Sequence, residues 1–472
     1  MADAAQRLTA LAEELLGTRF PVRIRAWDGS ESGPPGGPVL VVRHRRALRR
    51  LLWRPGELGL ARAWVAGDIE VEGDLYTVLD QLSGFLWDRK PDAPTGRGTD
   101  ARPRPGAQPT GPVGRLARAT RRTTTAVDSR LRFLLDPSIR SAARTLIRWG
   151  GPLPPPAPPV EEVRRRHGPL HTKYRDRQAI SHHYDVGNPF YELVLGPSMV
   201  YSCAYWKSGP SGPGGAVPET LEDAQRDKLD LVCRKLGLTE GQRLLDVGCG
   251  WGSLALHAAR EYGVRVIGIT LSREQAAYAR KRIAEAGLTD RIEIRVQDYR
   301  DVRDGPFDAI SSIGMAEHVG AARYREYADR LHALLAPGGR LLNHQIARRP
   351  EGDESAYRLD DFIDRYVFPD GELAPLGRTV GTLEEAGFEV RDVESIREHY
   401  GLTLRRWVAN LEEHWPTAVR LTSPARARVW RLYMAASALS FERNRIGVNQ
   451  ILAVRTRPDG TSDVPLRSRT WN

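Results

Sequence analysis

A chain of 472 residues with a net charge of +11 at pH 7 has room for one full α/β domain of about 250 residues and a second, smaller one. Its pI of about 9.7 favours anionic partners, nucleic acid or an acidic membrane face, and charge alone does not choose between these and a plain basic enzyme. The three cysteines, Cys203, Cys233 and Cys249, are scattered and odd in number, which argues against a disulfide framework or a C-x-x-C metal site and suits a reducing cytoplasm.

At the N-terminus, MADAAQRLTALAEELLG reads as an amphipathic helix to Leu16, with acids and no signal-peptide apolar core. No apolar run of about 18 residues occurs, so membrane contact is expected to be peripheral. PVRIRAWDG and PVLVVRH alternate like the strands of a hairpin, and with ALRRLLW and GELGLARAWVAGDIEVEGDLYTVLDQL they predict a small α+β domain over residues 1–87. Residues 88–114 turn to Pro, Gly, Arg and Asp, a composition that buries little apolar area and predicts a disordered linker. Residues 115–176 begin with a basic amphipathic stretch, in which Arg118, Arg121, Arg122, Arg130 and Arg132 alternate with Leu131, Phe133 and Leu134. Such a stretch can lie on an anionic bilayer, each arginine adding about 1 kcal/mol, or can simply be a solvated helix face.

Residues 177–472 predict the main domain. Strands are expected at Arg243 to Val247, Val264 to Ile269, Ile292 to Val296, Phe307 to Ser312, Arg340 to Asn343, Phe388 to Val393 and Gln450 to Arg455, with helices between most of them. This is a seven-stranded, doubly wound, Rossmann-like α/β sheet, with its ligand at the carboxyl ends of the strands. Two long intervals, Ala347 to Leu376 and Tyr400 to Ile446, predict a helical cap that encloses an apolar substrate or only packs the core.

The most telling stretch is RLLDVGCGWGSLALHAAR, a strand, a glycine loop and a helix. Its glycines let a ligand approach beside free helix N–H groups. The spacing is G-x-G-x-G rather than G-x-G-x-x-G, and the second strand ends in Thr270-Leu271-Ser272 without an acid for an NAD ribose. The ligand predicted is therefore S-adenosylmethionine (SAM). Ahead of it, Ala179 to Trp206 is polar and aromatic and reads as a lid. His182, His183 and Asp185 do not face one point on a helix, and no metal site is expected. Asn188-Pro189-Phe190 half resembles the Asn-Pro-Pro-aromatic signature of nucleic-acid amino-methylating enzymes, but it lacks a proline and precedes the glycine loop. The fourth strand ends SSIGMAEHVG and the fifth LLNHQI, which brings Glu317, His318 and His344 to one rim of the sheet.

Taken together, Tyr201-Ser202-Cys203, LLDVGCGWG, GITLSREQ, QDYRD, GMAEHVG, FIDRYVFPDGEL and HYGLTLRRW resemble, in order and separation, the cyclopropane-fatty-acyl-phospholipid synthase family, which includes the mycolic acid cyclopropane synthases. The resemblance covers about Arg177 to Arg455, and residues 1–87 are similar to the small lipid-associated domain of full-length members. It implies SAM-dependent C-methylation at a cis double bond of an unsaturated phospholipid acyl chain. The carbocation left by methyl transfer then loses a proton, giving a cyclopropane, or a methylene branch that a partner reductase converts to methyl. The resemblance implies a bound bicarbonate as the base, with Cys203, Glu317, His344, the backbone of Ile346 and Tyr400 around it. It assigns the cofactor to Tyr201, Ser202, Asp246, Gly248, Gly250, Thr270, Leu271, Gln275, Gln297 and Asp298. Rings at Tyr201, Phe368 and Tyr400 are expected near the cation. The family's pattern is departed from at His344-Gln345-Ile346 and Arg443-Asn444-Arg445, both expected near the substrate end.

The partners expected are anionic membrane phospholipids at the inner face of the plasma membrane, a second copy of the chain as a homodimer, and no nucleic acid. Two rival classes remain at this stage: a methyltransferase for a small polar or nucleic-acid acceptor, and a lipid-binding protein without activity.

Overall fold

The computed structural model describes residues 3–54, 56–86, 149, 154–163, 170–184, 186–208, 219–352, 354, 357, 359–467 and 469. The expected linker at 88–114, nearly all of the basic stretch after it, Asp185 and the side chain of His182 lie outside the described residues. The chain divides into two compact units, Met1–Pro159 and Val160–Asn472.

In the first unit, helix α1 (Ala4–Leu16) starts at a capping box, where Asp3 accepts from the backbone N–H of Gln6 and the Gln6 side chain accepts from that of Asp3. Four short strands follow: β1 (Arg23–Arg25), β2 (Glu31–Ser32), β3 (Val39–Val42) and β4 (Ile69–Glu72), in the sheet order β2-β1-β3-β4. The two alternating segments expected to form a hairpin instead pair in parallel, Ile24 opposite Leu40. The chain turns after Trp27 into the two-residue β2, which takes the antiparallel place beside β1, so the next strand must enter on the other edge. Helices α2 (Arg46–Trp53), α3 (Glu57–Val65) and α4 (Leu75–Leu86) also belong to this unit. The fully buried acid Asp68 is held by Arg50 Nε at 2.8 Å and Arg46 Nε at 3.2 Å, the pairing that a buried charge requires.

The second unit opens with helices α5 (Lys173–Tyr184), α6 (Asn188–Leu195) and α7 (Leu221–Leu236). The sheet then forms from β5 (Arg243–Val247), β6 (Arg265–Thr270), β7 (Ile292–Val296), β8 (Phe307–Ile313), β9 (Leu335–Arg348), the two-residue β10 (Ala374–Pro375), β11 (Glu389–Ser395) and β12 (Ile446–Val454). Its order is β11-β12-β9-β8-β5-β6-β7, with β10 beside β9. Strands β5 to β9 run parallel, and β12 is antiparallel to both β9 and β11. Helices α8 (Ser253–Tyr262) and α9 (Arg273–Glu285), with α7, bury one face; the short α10 (Ala316–Val319) leads to α11 (Tyr324–Leu334), and α11 with α12 (Leu376–Glu385) buries the other.

Strand alternation sorts the side chains between the faces. Leu244 joins the core on the α7 side, and Leu245 and Val247 join the opposite one. By the same alternation, Asp246 and His344 point to the α7 side and Gln345 to the other. β9 extends beyond the expected Arg340 to Asn343 at both ends: it pairs with β8 already at Leu335, and with β12 continuously from Arg340 to Arg348. The two long intervals fold largely as expected of a cap: a π-helical turn at Ile363–Val367 in the first, and α13 (Arg397–Glu413), α14 (Trp415–Leu421) and α15 (Pro424–Glu442) in the second, with α13 packed along α15. Among the described residues no helix is long and apolar enough to cross a membrane.

Candidate active site

Strand order reverses between β5, with β6 on one side, and β8 on the other, and the glycine loop leaves β5 at that switch point, where such sheets bind ligands. Gly248, Gly250 and Gly252 have φ of 80°, 53° and 80°, a region that side chains with a Cβ rarely enter. A Cβ on Gly248 would also meet Met315 Cγ at 2.4 Å. The loop therefore presses against the residue that opens α10, and α8 presents its N-terminus beside it.

Above the loop lies a cleft of about 1180 Å³, counting the space at its mouth. Every residue assigned above to the cofactor borders it. Thr270 Oγ1 donates to Gln275 Oε1 at 2.8 Å, which fixes the end of β6 to the first turn of α9. Asp298 receives Nε and the second guanidinium nitrogen of Arg300 at 2.8 and 2.7 Å. Hydrogen bonds with that arginine hold its carboxyl below the usual range despite burial, so it stays an anionic acceptor at the rim. Asp246, 3 % exposed, accepts from Ser311 Oγ at 2.7 Å. Burial pushes its carboxyl up to about 6, against the opposing pull of Ser311 and Lys228. A glycine cradle, fixed polar acceptors and an apolar wall from Met199, Leu254 and Met315 suit a nucleoside carrying an amino-acid tail.

The residues assigned to the proton-accepting site do not line that cleft: Glu317 and Ile346 border a separate cavity of about 560 Å³, counting the space at its mouth, and the backbone of β9 and β12 relates them to the others. Glu317 Oε1 accepts from the backbone N–H of Ile346 at 2.8 Å. Ile346 pairs with Val448 across β9 and β12, and Val448 O accepts from Ile396 N at 3.0 Å. Ile396 O lies 3.6 Å from Cys203 Sγ. Tyr400 follows Ile396 by one turn of α13, and its ring lies 4.7 Å from Phe441 and 6.0 Å from Trp407. His344 Nδ1 lies 3.4 Å from Gln450 Nε2. Burial, with Lys228 and Lys235 nearby, holds the His344 imidazole well below the usual histidine range, and so neutral. Glu317 as a residue is partly exposed, but its Oε2 is closed off and meets no hydrogen-bond partner. Burial pushes its carboxyl up to about 7.

His318 takes a different place from Glu317. It borders the cofactor cleft, and burial lowers its imidazole to about 4. Its ring meets Phe368 edge-on at 5.6 Å. Phe368 in turn stacks on His183 at 4.1 Å, and Tyr201 stacks on the same imidazole at 5.5 Å. His183 Nδ1 lies 2.9 Å from the carbonyl of Val367. Trp430, 5.3 Å from His183, adds a further wall to this aromatic box. Tyr201 and Phe368 thus belong to one box, and Trp407, 5.4 Å from the Tyr201 ring, stands between Tyr201 and Tyr400. Asn188 accepts from Trp251 Nε1 at 2.7 Å, an anchor for the glycine loop rather than an acceptor of methyl-bearing bases.

Gln345, one of the departures from the family pattern, points away from His344. It accepts from Tyr324 and Asn343, both at 2.9 Å, and donates to Thr379 at 2.6 Å, a buried hydrogen-bond hub within the fold. Arg443-Asn444-Arg445 forms the turn from α15 into β12, with Asn444 at φ 52°. Among the described residues, no group of three or more His, Cys, Asp and Glu side chains could hold a metal.

A short strip joins the two sites. Tyr201 lies in the box, Ser202 accepts from Lys228 Nζ at 2.9 Å, and Cys203 Sγ donates to the Ala204 carbonyl at 3.1 Å. Ala204 N and Trp206 Nε1 both donate to Thr403 at 3.1 Å, and Trp206 N donates to His399 at 2.9 Å. All three cysteines are buried, and burial raises each thiol above its usual range. The native protein is therefore expected to react negligibly with a thiol reagent at pH 8, and three thiols should appear on denaturation. A fast-reacting native thiol that maps to Cys203 would show that the strip opens in solution.

Lys228, Met315 and Arg300 were not singled out by the sequence, whereas Trp430 falls in the expected cap. A signal for Lys228 existed: Ala224, Lys228, Leu231, Val232 and Lys235 fall at helical spacing on one buried stripe of α7.

The sheet order, the glycine loop at its switch point and the cleft above it define a SAM-dependent methyltransferase. The family model described as mycolic acid cyclopropane synthetase matches residues 171–451. A protein of Mycobacterium tuberculosis described as a probable fatty acid methyltransferase is 40% identical over 477 residues, covering 99% of this chain and 97% of its own. The cyclopropane-fatty-acyl-phospholipid synthase of Escherichia coli is 36% identical, over 59% of this chain and 68% of its own. Mycolic acid cyclopropane synthase CmaA1, solved with SAH and CTAB, superposes with a TM-score of 0.54 at 32% identity, over 60% of this chain and 99% of its own. The chain belongs to this family of cyclopropane synthases and fatty acid methyltransferases.

Proposed function

We propose that this methyltransferase acts on the cis double bond of unsaturated phospholipid acyl chains and yields a cyclopropane. The observation that carries the reading is Glu317, a buried carboxyl kept near its protonated form, with one oxygen fixed by Ile346 and the other unpartnered. SAM supplies an electrophilic methyl on a sulfonium. An alkene is a weak nucleophile, so the chain's task is to hold it dry and aligned. Tyr201, a member of the aromatic box that also lines the cofactor cleft, would present its ring to the cation that methylation leaves. The final proton needs a base: ionised Glu317 would take it on the unpartnered oxygen, or the protonated carboxyl would hold by hydrogen bond a small base such as bicarbonate that takes it. The phospholipid substrate is supported by the name of the Escherichia coli relative.

A second product is favoured by the relative that matches nearly the whole chain, described as a fatty acid methyltransferase. A 1,2-hydride shift from the methylated carbon to its cationic neighbour, followed by loss of a proton from the transferred methyl, would give a methylene branch instead of the ring. Incubation with SAM and an oleoyl phospholipid, followed by mass spectrometry of the acyl chains, tests the activity; no gain of a one-carbon unit overturns it. NMR of the product from a chain deuterated at both vinylic carbons separates the two: one deuterium on each ring carbon for the cyclopropane, both on the carbon beside the branch for the methylene product.

The net charge of +11 leads us to include an anionic membrane surface among the partners. Binding to vesicles is expected to require anionic lipid and to weaken as salt rises. Equal binding to neutral vesicles in high salt would remove the electrostatic account.

A further inference from the structure

One buried charge borders the cofactor cleft without a counter-charge in contact. Lys228 is 2 % exposed and lines the cleft. Its Nζ donates to Ser202 Oγ at 2.9 Å, its one hydrogen-bond partner among the described residues, and no carboxylate stands within 4.0 Å. The titratable groups facing it are Cys203 from the strip, Cys233 on its own helix, Asp246 on β5 and His344 on β9. The first two are buried thiols that keep their protons, and His344 is neutral. Asp246 is bonded instead to Ser311.

A buried ammonium with a single neutral partner is unfavourable, and a methionine of similar length would pack as well without the charge. Nothing in the surrounding packing calls for a cation. The space in front of it, however, belongs to a ligand whose tail is a zwitterion.

We infer that Lys228 is the counter-charge for the α-carboxylate of the methyl donor, with Ser202 held beside it as a second donor, and that Asp246 on the same wall matches the donor's α-ammonium. The two buried groups of opposite sign then read the amino-acid end of the donor, while the glycine loop and Asp298 read the nucleoside. The inference rests on SAM as the donor.

The test is calorimetric binding of two probes, S-adenosylhomocysteine and 5′-methylthioadenosine, which lacks the amino-acid end. K228M is expected to weaken S-adenosylhomocysteine by about 10- to 100-fold, to leave 5′-methylthioadenosine unchanged, and to melt no lower than the wild type. Unchanged affinity for S-adenosylhomocysteine overturns the inference. So does an equal loss of both probes, which would make Lys228 a support of the whole cleft. A second measurement needs no variant. Burial brings the lysine down to about 8, so removing the carboxylate from the ligand should cost the wild type far more affinity at pH 7 than at pH 9.5; decarboxylated S-adenosylhomocysteine is the probe. An equal cost at both pH values also overturns it. Failure of the wild type to bind either probe would instead refute the methyltransferase reading.

Discussion

Replacing Glu317 by glutamine is expected to lower turnover by about 10²- to 10⁴-fold and to leave SAM affinity nearly unchanged. The glutamine Oε1 can still accept from Ile346 N, the 2.8 Å bond that positions the group, and Glu317 does not border the cofactor cleft. What is lost is the proton on the second oxygen. The same variant should also differ in stability, with a sign fixed by burial. Glu317 is raised in the fold from 4.5 to about 7, so between these values the native state holds a proton that the unfolded chain has released. Wild-type stability therefore falls as pH rises through that window, by linkage. The glutamine variant escapes this penalty and should be the more stable above pH 7, with no such advantage below pH 4.5. Chemical denaturation at pH 5 and pH 8 reads the difference. A large loss of SAM affinity would instead make Glu317 a cofactor or folding residue.

Truncating Trp407 to alanine should cost about 3–5 kcal/mol of stability. Its side chain is 0 % exposed and lies between Tyr201 of the aromatic box and Tyr400 of the Glu317 group. Removing it leaves a void that both rings can fall into, so the surviving folded protein should also turn over more slowly. Urea melts of W407A, W407F and the exposed-site variant R406A check this. W407F is expected to fall between the other two, and a W407A loss no greater than that of R406A would show that the helix closes around the gap.

The parts of this molecule that sequence reveals are those in which a few neighbouring residues decide the outcome. The glycine loop is one: Asp246, Gly248 and Gly250 reach the cleft because a strand must end and a helix must begin there. Thr270, Gln275, Gln297 and Asp298 follow for the same reason at the next two strand ends. Burial of a polar group, by contrast, is decided by what packs on it from elsewhere. Lys228 looks like any helix lysine until β5, β9 and the Tyr201 to Trp206 strip close over it. Glu317 and His318 are adjacent in sequence, yet α10 sends them to different places, one against Ile346 and the other into the cofactor cleft. The parallel pairing of β1 and β3 was hidden too, because alternation sets which face a side chain takes and says nothing of strand direction.

The strip from Tyr201 to Trp206 carries a constraint of its own. Its six residues are fastened to separate neighbours: Tyr201 to the aromatic box, Ser202 to Lys228, Cys203 beside Ile396, and Ala204, Tyr205 and Trp206 to α13. Changing one side chain alters one attachment. Inserting or deleting a single residue would move every later side chain onto the wrong partner, disconnecting the donor cleft from the Glu317 group. Natural variation in this segment should therefore appear as exchanges of residue type at constant length, with changes of length confined to the chain after Trp206.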